Sequence, residues 1–136
     1  MNTSKFNEIE HTADNALFIQ AENMVELLKQ AALGMFSLMG LPSDRDGLSR
    51  RRIELEALDW EGLLVAWLEE LLYLMEKHEI GFGKMDIDVH QDKRMVAMIE
   101  EIPGTIPLKE IKAVTYHGLE IIDTEKGLEV TIVFDV

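Results

Sequence analysis

The chain has 136 residues, 47% of them apolar and 29% charged, with no cysteine and a formal net charge of −13. This predicts one domain, residues 1–136, able to bury roughly two-thirds of its unfolded surface without a staple. It excludes disulfides, thiolate zinc sites and cysteine nucleophiles, and the acidic balance opposes contacts that displace counterions from nucleic acid.

No apolar run reaches the roughly 18 residues of a membrane helix, and the N-terminus lacks a charged region followed by an apolar core. The expectation is a cytoplasmic protein with no membrane association.

In chain order, FNEIEH (6–11) reads as an edge strand, TADN (12–15) as a turn and ALFIQA (16–21) as a second strand. Asp and Asn suit the turn because their side chains bond nearby backbone amides. A helix is expected over 23–39. Asn23 caps it, with Glu26 placed as in a capping box, and Gly40 and Pro42 end it. RRIELEAL (51–58) alternates apolar and charged residues, the pattern of a half-buried strand. The arginine run before it, in DRDGLSRRR (44–52), reads as a solvated loop entering that strand rather than as a nucleic-acid patch. Asp59 caps a second helix reaching about residue 78. Leu63, Leu64, Trp67, Leu68, Leu71, Leu72 and Met75 give it a stripe wide enough for a central helix. Gly81 and Gly83 are expected to loosen its exit.

The remainder is strand-rich: 85–90, 94–102, a long strand over 111–122 with a bulge at Gly118, and a last strand over 128–136. PGTIP (103–107) reads as a loop and DTEKG (123–127) as a hairpin connection. The order β-β-α-β-α-β-β-β-β predicts an α+β fold, a mixed or antiparallel sheet with two main helices packed on one face. There is no internal repeat, and no phosphate-binding glycine loop, HExxH or GxSxG pattern.

The polar residues with a chemical claim are Glu10, His11, Asp14, Asp59, Trp67, Thr115, Tyr116, His117 and Asp135. Trp67 lies on an apolar helix face, which is a core position. A histidine in or beside a strand, such as His117, is ordinarily a packing or surface group. His11 and Asp14 permit acid–base work, but no nucleophile–base–orienter triad is spaced around them. Asp135 follows a clean apolar strand and precedes only Val136. A frayed, free carboxylate is one reading. The other has the last strand beside the turn holding Asp14. Carboxylates would then converge there and raise one another's pKa, a repulsion that a hard divalent cation relieves. The sequence leaves that choice open.

Four stretches, EHTAD (10–14), DWEGLLVAWLEELLYL (59–74), IKAVTYHGLEI (111–121) and VFDV (133–136), resemble the archease family. The resemblance implies a non-catalytic activator of the RNA-splicing ligase that seals tRNA exon halves. It would promote guanylylation of a ligase histidine from GTP and support multiple turnover, acting more as a protein-modulating chaperone than as an enzyme. It also implies a divalent ion, calcium or alternatively magnesium, held by Asp14, Asp135 and the main-chain oxygen of Val136. Glu10, His11 and His117 would then orient those ligands or face the partner. No stable direct RNA binding is expected, and the acidic charge would suit a positively charged channel on the ligase. Two departures stand out: Glu69 where many relatives carry asparagine, and the segment EEIPGTIPLKE (100–110). The competing functions are a metal-dependent hydrolase or nuclease using Asp14, Asp135 and His11, and a general protein chaperone.

Overall fold

The structure, a computed structural model, describes residues 2–10, 15–42 and 45–136, with Glu10 described through its backbone alone. Ten elements follow one another: β1 (Lys5–Glu10), β2 (Asn15–Ala21), α1 (Met24–Leu38), β3 (Ser49–Glu56), α2 (Trp60–His78), β4 (Ile80–His90), β5 (Arg94–Pro103), β6 (Ala113–Thr115), β7 (Ile122–Thr124) and β8 (Gly127–Asp135).

The expected α+β class holds, and every strand pairing is antiparallel. The strands divide into two sheets, however, rather than one. The first has the order β1-β2-β8-β6, with β7 also on β8; the second has the order β3-β5-β4. The division follows the chain. Consecutive strands β3, β4 and β5 satisfy one another, while the first sheet is assembled from both ends of the sequence. Helix α1 packs on β1, β2 and β8 of the first sheet and on β4 of the second. Helix α2 packs on β6 of the first and on all three strands of the second.

Alternation sets which face of each strand is covered. In the first sheet Leu17, Ile19, Val130, Ile132 and Phe134 point inward and are buried, whereas Thr131 and Asp135 lie on the exposed face. In the second, Ile53, Met95, Ala97 and Ile99 are buried. Both helix starts are capped as expected. Asn23 accepts the Glu26 N–H at 2.9 Å, and Asp59 accepts the Gly62 N–H at 2.7 Å. The Glu26 carboxylate, expected to complete a capping box, instead accepts from the Asn2 side chain. Trp67 is fully buried, and its indole N–H donates to the Leu28 carbonyl at 2.9 Å, joining α2 to α1.

Three expectations are corrected. The exit of α2 is not a glycine-loosened loop. Glu79 takes the left-handed conformation (φ 53°), and β4 begins at the next residue. Gly81 and Gly83 lie inside β4, the first just before and the second within a register shift between Phe82 and Met85. A side chain at position 83 would collide with the Arg45 carbonyl, which accepts the Lys84 N–H at 3.2 Å. Second, the strand expected over 111–122 is two short strands, β6 and β7, separated by a turn. Gly118 has φ 72° there, and the Leu119 N–H donates to the Tyr116 carbonyl at 3.2 Å. Third, β3 begins at Ser49, two residues before the strand expected over 51–58, so Arg50 joins Arg51 and Arg52 within it rather than lying in a loop. They pair with Asp86 at 3.3 Å, Glu101 at 2.8 Å and Glu54 respectively. The hairpin at 123–127 does form, closing β7 on β8 with Thr124 opposite Gly127. No described helix is long and apolar enough to cross a membrane.

Trp67→Ala is expected to cost about 3–5 kcal/mol in denaturant-unfolding midpoints, the range for deleting a buried large aromatic. Trp67→Phe, which keeps most of the volume but loses the bond to Leu28, should cost clearly less.

Candidate functional site

The C-terminal end of β8 lies where the chain passes from β1 to β2. Asn15, the first residue of β2, lies opposite Phe134, and Glu10, the last of β1, lies opposite Asn15. The chain therefore enters β2 beside Asp135 and Val136. On the other side of β8, Ala113 of β6 pairs with Asp135, and the Lys112 N–H donates to the Asp135 carbonyl at 2.8 Å. Asp135 and Val136 are both exposed. With the Asp135 carbonyl occupied, its carboxylate is the group free to bind, and among the described residues no cationic side chain pairs with it.

The expected Asp14 and His11 lie outside the described residues, as do the first three residues of the turn expected over 12–15, whose last, Asn15, instead begins β2. Among the described residues no three of His, Cys, Asp or Glu are grouped to hold a metal ion. Thr115 pairs with Val133, so β6 runs away from Asp135. His117 lies beyond Thr115, exposed in the following turn.

A second constellation holds that turn, and the sequence reading missed most of it. Three carboxylates of α2 and its cap fasten the segment from β6 to β7. The Val114 N–H donates to Glu69 at 3.0 Å and the Ile121 N–H to Glu61 at 2.9 Å. The Tyr116 hydroxyl donates to Asp59 at 3.2 Å. β6 lies on an edge of its sheet, so the N–H of buried Val114 needs a partner other than a strand, and Glu69 supplies it. Glu61 and Glu69 are eight residues apart, a spacing that keeps them on one side of a helix. That spacing was the available signal. The departure at Glu69 marked the position without revealing its partner.

Partial burial, the bond to Asp59 and the charges of Asp59 and Glu61 hold the Tyr116 phenol above its ordinary range. The fold thus favours the neutral phenol. Its contribution to stability is present below the ordinary phenol pKa and is lost as pH rises through the raised value.

Glu69→Ala is expected to cost about 1–3 kcal/mol, the cost of leaving a buried amide unpaired, and to speed hydrogen exchange selectively at Val114. Asp59→Asn, which retains a capping oxygen, should move the Tyr116 titration back toward the ordinary range, read from phenolate absorbance of the folded protein.

The model of the Archease protein family (MTH1598/TM1083) matches residues 6–136. The chain is 34% identical to the protein archease of Methanosarcina mazei, over 97% of this chain and 96% of that one. It is 36% identical to the protein archease of Methanosarcina acetivorans with the same coverage. The solution structure of protein 1598 of Methanobacterium thermoautotrophicum superimposes with a TM-score of 0.73 at 28% identity, covering 96% of this chain and 98% of that one. The crystal structure of an archease and possible chaperone from Thermotoga maritima, at 23% identity and a TM-score of 0.68, covers 96% of each chain and shares the fold. A family model matching nearly the whole sequence, with relatives above 30% identity along their full length, places this chain in the archease family.

Proposed function

We propose that the chain is a non-catalytic activator of the RNA-splicing ligase, speeding guanylylation of the ligase from GTP and supporting its repeated turnover. The observation that carries this reading is the family match over residues 6–136. In the same reading, Asp14, Asp135 and the main-chain oxygen of Val136 hold one hard divalent cation, calcium or magnesium. Two features of the structure support it. The Asp135 carboxylate is exposed and without a cationic partner among the described residues. The segment that contains Asp14 connects β1 to β2 at that same end of the sheet. The donors are all oxygen, which suits Ca²⁺ or Mg²⁺ rather than a softer metal.

When bound, the ion supplies positive charge against which these carboxylates can lie close together. The residues of the chain do the rest. Lys112 pins the backbone at Asp135, β6 and β2 flank it, and the α2 carboxylates fix the turn bearing Tyr116 and His117, which is exposed to a partner. The acidic surface suits a basic channel on the ligase.

The test is the rate of ligase–GMP formation from labelled GTP with and without this protein, using the cognate ligase. A faster rate and several turnovers per ligase are expected. Asp135→Ala should weaken cation binding, measured by calorimetry on chelator-treated protein, by at least the roughly 10- to 100-fold that even an outer partner of a metal site commands. Activation should fall with it while circular dichroism is unchanged. Equal guanylylation rates with and without the protein would overturn the activator reading. Turnover of RNA or nucleotide by the protein alone would favour the hydrolase.

A further inference from the structure

A groove of about 620 Å³ lies between α2 and the segment joining β5 to β6; neither Asp135 nor Val136 lines it, although Lys112, which does, is bonded through its N–H to the Asp135 carbonyl. Its floor is the buried apolar set Met39, Leu72, Met75 and Ile111. Ile106 forms one wall and is 80% exposed; Leu108, on the same segment, is 84% exposed. That segment is fixed at both ends. The Thr105 N–H donates to the Glu79 carbonyl at 3.1 Å, and the Leu108 N–H to the Met39 carbonyl at 2.9 Å. Two bare aliphatic side chains are therefore held out by the C-terminal caps of both helices. A rigid apolar exposure of this kind marks a contact surface more than a chance excursion of a loop.

The charge around the groove says what covers it. Glu69, Glu76, Glu79 and Glu110 line it against the single cation Lys112. Among the described residues none of these glutamates is in an ion pair, and Lys77 lies over the Tyr73 ring. Met39 and Glu79 are the C-caps of α1 and α2, so the negative ends of two helix dipoles also point here. A nucleic acid would be repelled, and so would an acidic peptide.

We infer that this groove docks a basic amphipathic segment of a partner protein. Its apolar side chains enter between Ile106 and the methionine floor, and its lysines or arginines meet the glutamates. This surface shares no lining residue with the proposed cation site.

The test uses the full chain with ¹³C-methyl-labelled methionine. Two synthetic peptides share a central Leu-Phe pair, one flanked by lysine and arginine and the other by glutamate. The basic peptide should shift the Met39 and Met75 methyl signals saturably, leaving Met98, on the outer face of the second sheet, in place. Its affinity should fall as salt is raised. It should also fall at least about tenfold in Glu76→Lys/Glu110→Lys, since like charges then face each other, and again in Ile106→Asp. Absence of a saturable shift at Met39 and Met75, an equal response to the acidic peptide, shifts as large at Met98, or unchanged affinity in the charge-reversed variant would each overturn the proposal.

Discussion

No strand of one sheet pairs with a strand of the other among the described residues, so the fold is held together by what lies between them. That element is α2. Eight of its residues are buried, from Leu63 to Met75, and they face both sheets and α1. An amphipathic helix on a single sheet buries one stripe; this one is apolar around much more of its circumference because it has three neighbours. The Trp67–Leu28 hydrogen bond adds direction to that burial. It satisfies the one polar atom that the largest side chain carries inside, and it fixes how the two helices face each other.

The polar edge of the same helix is organised as closely as its apolar body. Asp59, Glu61 and Glu69 reach across to the chain between β6 and β7 and accept two backbone amides and one phenol. A three-residue edge strand has little ladder of its own, and carboxylates that accept amide hydrogens make charge-assisted bonds stronger than neutral ones. The order of the exposed Tyr116–His117 turn thus derives from α2, and so does the placement of Lys112, two residues before Val114 and bonded to the end of β8.

Much of this was legible because it is local. The caps at Asn23 and Asp59, the alternation through Ile53 and Leu55, the stripe containing Trp67 and the 123–127 hairpin are each written within a few residues. The errors arose where a distant group decided the outcome. Residues 111–122 look like one strand because their β-branched content is uniform. They break because Glu69 and Glu61 compete for their amides and Gly118 takes a positive φ. Gly81 and Gly83 look like helix-terminating residues, whereas Glu79 ends the helix, Gly81 makes room for Thr105 and Gly83 for the Arg45 carbonyl nearly forty residues earlier. The division into two sheets likewise depends on long-range pairing. At the candidate site the sequence singled out Asp135 and Val136, and the register of β8 with β2 puts them where the first hairpin turns. The α2 carboxylates were overlooked because glutamates on a helix are ordinarily a solvated face.

The contact between Gly83 and Arg45 is unequal in what it demands of its two participants. At position 45 the chain offers a backbone carbonyl, which every amino acid carries, so the identity of that residue is nearly free. At position 83 the absence of a side chain is the contribution itself, and no other residue can make it. Related sequences built on this contact would drift at the first position and stay fixed at the second. Lengthening the short stretch between Arg45 and β3 would also be resisted, although composition alone would mark it as permissive, because an added residue there moves the carbonyl out of register with the irregularity it packs against.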